Sequence, residues 1–157
     1  MKAYLAGAIE YSPDKGKQWR SELAEFLKIE LNHDSYNPHI EEPKILTPKE
    51  RVQFRPFKHA DLPAFQNIVR KLIRNDLRSI ANEVDYVICL WDDYAEQGGG
   101  TYGELTFAFY HDLPVYMVTQ KPLDQISGWI LGCTTKFFKN FGELKVFLKE
   151  KYLHLDT

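Results

Sequence analysis

The run Val84-Asp85-Tyr86-Val87-Ile88-Cys89-Leu90-Trp91 constrains this chain more than any other segment. It is almost continuously apolar, the pattern of a strand covered on both faces. Helices must supply that cover, and helical patterns stand on either side of it. One is expected from about Leu62 to Asn82 and another from Thr101 to about His111. Further strands are expected at Ala3–Ile9, Ser35–Asn37 and Val115–Thr119. A helix from about Pro13 to Leu31 would be capped by Ser12 with proline at its first position, and a last amphipathic helix runs from about Phe141 to Tyr152. Pro38, Pro43, Pro48, Pro56 and Pro63 break up the stretch after the second strand. A long excursion over the site is expected there, with a helical turn or more at the capping box Thr47-Pro48-Lys49-Glu50. Strands alternating with helices imply a parallel sheet with helices on both sides.

A chain of 157 residues, 44% apolar, suits one domain spanning residues 1–157. Twenty basic against twenty-two acidic residues leave a net charge of -2, without the basic excess that holds a protein to polymeric nucleic acid. Cys89 and Cys133 belong to no Cys-x-x-Cys pair and read as reduced core thiols. The five histidines, His33, His39, His59, His111 and His154, show no paired ligand spacing, so no metal is expected. The first residues reach Gly7 too early for a signal segment, and no apolar run spans a bilayer; a cytoplasmic protein away from membranes is expected.

Two carboxylates stand out. On the helix from Leu62, residues Phe65, Ile68, Val69, Leu72, Ile73, Leu77 and Ile80 form one apolar stripe that should face the core, and Asp76 lies within it. Burying a carboxylate there is costly unless it finds donors or shifts its proton affinity. Asp76 is therefore either a structural staple or a tunable group at a pocket floor, with Asn75 and Arg74 beside it. The second is Glu104, in Gly98-Gly99-Gly100-Thr101-Tyr102-Gly103-Glu104, at the carboxyl end of the central strand where open α/β sheets bind ligands. The glycines let backbone approach a ligand, and the amides opening the next helix favour an anion or a polar oxygen. Thr101-x-x-Glu104 also has the form of a capping box, in which Glu104 would only bond back to the chain. Both readings stand at the level of sequence.

Tyr4-Leu5-Ala6-Gly7, Asn75-Asp76-Leu77 with Ile80, Asp85-Tyr86-Val87-Ile88, and Gly100-Thr101-x-x-Glu104 with Ala108 and Pro114-Val115 together resemble the nucleoside 2-deoxyribosyltransferases and their nucleotide N-hydrolase relatives. The resemblance spans about residues 3 to 119. It implies a flavodoxin-like or Rossmann-like open parallel sheet of about five strands flanked by helices. It also implies Glu104 as the nucleophile at the anomeric carbon, Asp76 as the group handling the proton of the departing base, and Tyr4 as the residue orienting Glu104. Gly7, Gly98, Gly100 and Thr101 would form the substrate-binding turn. Where such transferases often carry a base-binding aspartate this chain has Gly98, and Asp92 or Asp93 are the candidate substitutes. The substrate would be a small nucleoside or nucleotide, handled without cofactor or metal, by a homo-oligomer whose subunits share active sites. Thr134 or Thr135, with Thr101, would hold a 5'-phosphate in a hydrolase. Transfer of 2-deoxyribose between bases is the leading expectation, hydrolysis of a deoxynucleoside 5'-monophosphate the second, and a noncatalytic nucleotide-binding module the third.

Overall fold

Strand Tyr86–Leu90 (β3) is buried on both faces and lies at the centre of a five-stranded sheet, as its apolar run requires. A computed structural model describes residues 1–153. Lys2–Gly7 (β1), Asp34–Tyr36 (β2), Val115–Val118 (β4) and Lys136–Phe138 (β5) complete the sheet in the order β2-β1-β3-β4-β5, with every pairing parallel. The strand order reverses between β1 and β3, and ligands of open α/β sheets bind outside the carboxyl ends of strands at such a point.

Side-chain alternation along the strands splits the core into two layers. Ala3, Leu5, Tyr86, Ile88, Tyr116 and Val118 face Lys17–Leu31 (α1) and Phe141–Leu153 (α8). Tyr4, Ala6, Val87, Cys89 and Met117 face the opposite layer, built from Leu62–Asn82 (α4), Gly100–Tyr110 (α6) and Gly128–Cys133 (α7). Both cysteines are free and buried. Among the described residues no helix is long and apolar enough to cross a membrane.

Three expectations change. First, the excursion after β2 is mostly helical: Pro38–Ile45 (α2) and Pro48–Ala60 (α3) occupy it. Pro38, Pro48 and Pro63 sit at the start of their helices, where a missing N–H costs nothing. Pro43 and Pro56 lie inside helices, which persist because Leu46, Phe54 and Ile68 bury a third small core between α3 and α4. The capping box at Thr47 forms with both of its bonds. Second, α1 begins at Lys17 rather than Pro13. Gly16 takes a left-handed conformation, and Asp14, not Ser12, accepts the amides of Gly16 and Gln18. Third, a fifth strand forms at Lys136–Phe138, with Lys136 exposed and Phe138 in the core, a strand too short to declare itself by pattern.

The turn between β1 and α1 is organised by Arg20, which is fully buried. Its guanidinium donates to the carbonyls of Leu5, Gly7, Ala8, Lys15 and Gly16 at 2.8–3.4 Å. Its donors are spent on backbone.

Candidate active site

A cleft of about 640 Å³ opens between α4 and α6. Val69, Leu72, Ile73 and Leu77 form one wall, and Gly99, Gly100, Tyr102, Gly103 and Phe107 the other. The apolar stripe on α4 therefore divides: Ile68 and Ile80 enter the core, while Ile73 is half exposed at the cleft. A methyl group on Gly99, Gly100 or Gly103 would meet no atom within 4 Å, so these glycines leave open space. Both Asp76 and Glu104 line this cleft.

Glu104 makes no cap. The residue preceding α6 is Gly99, without a side-chain capping bond, so Glu104 lies one full turn inside the helix and turns toward the sheet. Tyr4, buried on β1, donates its hydroxyl to Oε1 of Glu104 at 2.9 Å. Oε2 is enclosed and has no hydrogen-bond partner among the described residues. Asp76 accepts a 2.8 Å bond from the hydroxyl of Tyr36 at the end of β2, and Asn75 donates to that same hydroxyl at 2.6 Å. The rings of Tyr4 and Tyr36 stack with centroids 5.1 Å apart and planes 10° from parallel. Two tyrosine–carboxylate pairs thus stand side by side.

The electrostatics follow from this enclosure. Burial raises Glu104 from 4.5 to about 8, and the charge of Asp76 pushes the same way, against the Tyr4 bond and the Arg20 charge. Burial raises Asp76 from 3.8 to about 6, opposed by the Tyr36 bond. Burial and the neighbouring carboxylates raise both tyrosines, which remain donors at neutral pH. With Asp76 at about 6 and Glu104 at about 8, one proton is held between roughly pH 6 and 8, and it resides on Glu104.

A stability consequence follows. A carboxyl whose folded pKa lies above its unfolded value loses stability as pH rises from about 4.5 to about 8 and is level beyond. Glu104→Gln removes the charge and keeps an acceptor for Tyr4. The variant should melt about 5 °C above the unsubstituted protein at pH 8.5, a gain on the order of 2 kcal/mol. That gain should shrink to a few tenths of a kcal/mol, about RT ln 2, near pH 4.5, where Glu104 is protonated in the folded state and half protonated in the unfolded one, and vanish at lower pH. Calorimetric melting across this range measures it, and a pH-independent difference would contradict a buried, raised carboxyl.

The remaining sequence candidates are dispersed. Gly7 ends β1, and its carbonyl is held by Arg20. A Cβ added at Gly98 would meet the Tyr11 ring at 3.7 Å, and Thr101 is buried. The structure does not bring Asp92 or Asp93 to the cleft. Asp92 caps the short helix Asp93–Gln97 (α5) through the Ala95 amide, and Asp93 pairs with Lys121 beside a different depression. Thr135 accepts the Val115 amide and Thr134 donates to the Ile130 carbonyl, and within this chain neither lines the cleft that holds Glu104. Arg74 is exposed, and His154 falls outside the described residues. Tyr36 was missed as a site residue. Only its place at the end of a short strand could have hinted at it.

No family model matches the chain, and no curated protein matches it by sequence. In three dimensions it is similar to the solved structure of a 2-deoxyribosyltransferase from the psychrotolerant bacterium Bacillus psychrosaccharolyticus, described as a biocatalyst for nucleoside synthesis. The two share a fold. Their superposition has a TM-score of 0.56 and covers 92% of this chain and 90% of that chain, at 16% sequence identity.

Proposed function

We propose that this protein transfers 2-deoxyribose between nucleobases through a covalent deoxyribosyl-Glu104 intermediate. The observation that carries the reading is the pair of enclosed carboxylates, Glu104 and Asp76, on one apolar cleft, each with a tyrosine on one oxygen. The fold shared with a 2-deoxyribosyltransferase supports it.

In the first half-reaction a Glu104 oxygen attacks the anomeric carbon as the carbon–nitrogen bond breaks. The bonding electrons pass to the departing base, which takes the proton of Asp76. In the second, an incoming base attacks the same carbon, Glu104 leaves as carboxylate, and the proton returns to Asp76. Enclosure suits an oxocarbenium-like transition state, because a carboxylate excluded from water acts on developing positive charge at low dielectric. The chemistry requires the proton on Asp76 and the charge on Glu104, so the reactive form is the reverse of the resting one, in which Glu104 holds the proton.

The reading in which Glu104 is only a helix cap has lost its basis, since Gly99 precedes the helix. The experiment is product analysis after incubating purified protein with deoxyinosine and adenine, and separately with deoxynucleoside monophosphates. The expected result is deoxyadenosine from the first mixture, with kcat/KM falling off below about pH 6 and above about pH 8. Free base released from a monophosphate alone would replace the transferase with a hydrolase.

A further inference from the structure

We infer that Tyr36, oriented by Asn75, is a positioning residue that pins Oδ1 of Asp76 as an acceptor and so confines the transferable proton to Oδ2. The inference rests on reading Asp76 as the proton carrier, and goes beyond it by assigning the atom and the residues that select it.

The polarity of the chain of bonds leaves one arrangement. Arg78 Nη2 donates to Asn75 Oδ1 at 2.8 Å, and a guanidinium has no acceptor. The oxygen of the Asn75 amide therefore faces Arg78, and its NH₂ faces Tyr36, donating to the hydroxyl at 2.6 Å. An amide NH₂ cannot accept, so the only proton on the Tyr36 hydroxyl goes to Asp76 Oδ1 at 2.8 Å. An oxygen receiving that bond is not the one to carry the acid proton. Oδ2 takes no hydrogen bond among the described residues, and Asp76 lines the cleft. Tyr4 treats Glu104 the same way, occupying Oε1 and leaving Oε2, and the stacking of the two rings ties the pairs together. Each tyrosine thus consumes one oxygen of a carboxyl group and leaves the other without a hydrogen-bond partner among the described residues.

The charged and titratable groups around Asp76 are Tyr4 from β1, Tyr36 from β2, Glu41 and Glu42 from α2, Arg20 from α1 and Glu104 from α6. Of these only Tyr36 is hydrogen-bonded to it.

Tyr36→Phe keeps the ring and its stacking and removes only the donor. Two readouts apply: a carbon-13 NMR titration of the Asp76 carboxyl, and the pH profile of base exchange. Losing a donor to the ionised form should move the Asp76 titration up by about one pH unit. The low-pH limb of kcat/KM should follow it. Loss of proton orientation should lower kcat about tenfold while KM changes less than about twofold, because Tyr36 does not line the cleft. Should Tyr36→Phe not fold, 3-fluorotyrosine at position 36 keeps the shape and strengthens the donor, and the titration should then move down. An unmoved Asp76 titration in the folded variant overturns the inference whatever the rate does. If the unsubstituted protein exchanges no bases at all, the transferase reading falls, while the titration still decides the role of Tyr36.

Discussion

Glu104→Ala should lower base exchange by at least about 10⁴-fold, a loss of about 5 kcal/mol of transition-state stabilisation. On the proposed mechanism the substitution removes the covalent route altogether, and what remains is binding and positioning in the cleft. Asp76→Asn should cost less, about 10²–10³-fold, the range in which general acid–base groups contribute. The ordering is the informative part. A residue serving only as a cap would change stability by about 1 kcal/mol and leave any rate untouched. Stopped incubation with deoxynucleoside in the absence of an acceptor base, followed by peptide mass spectrometry, should find the deoxyribosyl adduct on the peptide holding Glu104. Exchange that survives Glu104→Ala within tenfold would move the nucleophile elsewhere.

Arg20→Met should destabilise the fold by about 3–5 kcal/mol, lowering the melting temperature by roughly 10 °C. The long side chain is kept, but the carbonyls of Leu5, Gly7, Ala8, Lys15 and Gly16 all lose their guanidinium donor. Buried acceptors without partners each cost on the order of 1–3 kcal/mol. The damage should reach the site. The Arg20 charge favours the ionised forms of Asp76 and Glu104, so both should titrate higher in a folded Arg20→Met variant. Gly16 belongs to the same device: a Cβ there would lie 2.1 Å from Arg20 Nη1 and 2.8 Å from the Ala8 carbonyl, on a backbone at φ 66°. Thermal melting of Arg20→Met beside Arg20→Lys measures the effect. A loss below about 1 kcal/mol would mean that water satisfies the turn.

Period and composition were enough to place the framework. The continuous run at β3, the stripe on α4 and the helix after the glycine turn are local patterns, and they appear at Tyr86–Leu90, Leu62–Asn82 and Gly100–Tyr110. A carboxylate inside an apolar stripe was equally legible, because its oddness is defined by neighbours three and four positions away on the same helix. The capping box at Thr47 was legible for the same reason, its two partners being three residues apart. Local signals failed where two of them competed. Thr101-x-x-Glu104 has the letters of a cap, yet packing of α6 on the sheet starts the helix at Gly100 and turns Glu104 to Tyr4, 100 positions away in the chain. Prolines at 43 and 56 read as breakers, yet burial of Phe54 and Ile68 carries the helices through them. The sequence by itself determined which segments become strands and helices, and that Asp76 is out of place, since both follow from spacing along one element. Only the tertiary structure decided that Tyr36 reaches Asp76, that Tyr4 reaches Glu104 and that Arg20 is spent on carbonyls. Those contacts join elements through the order in which strands assemble, and no periodicity within one element encodes them.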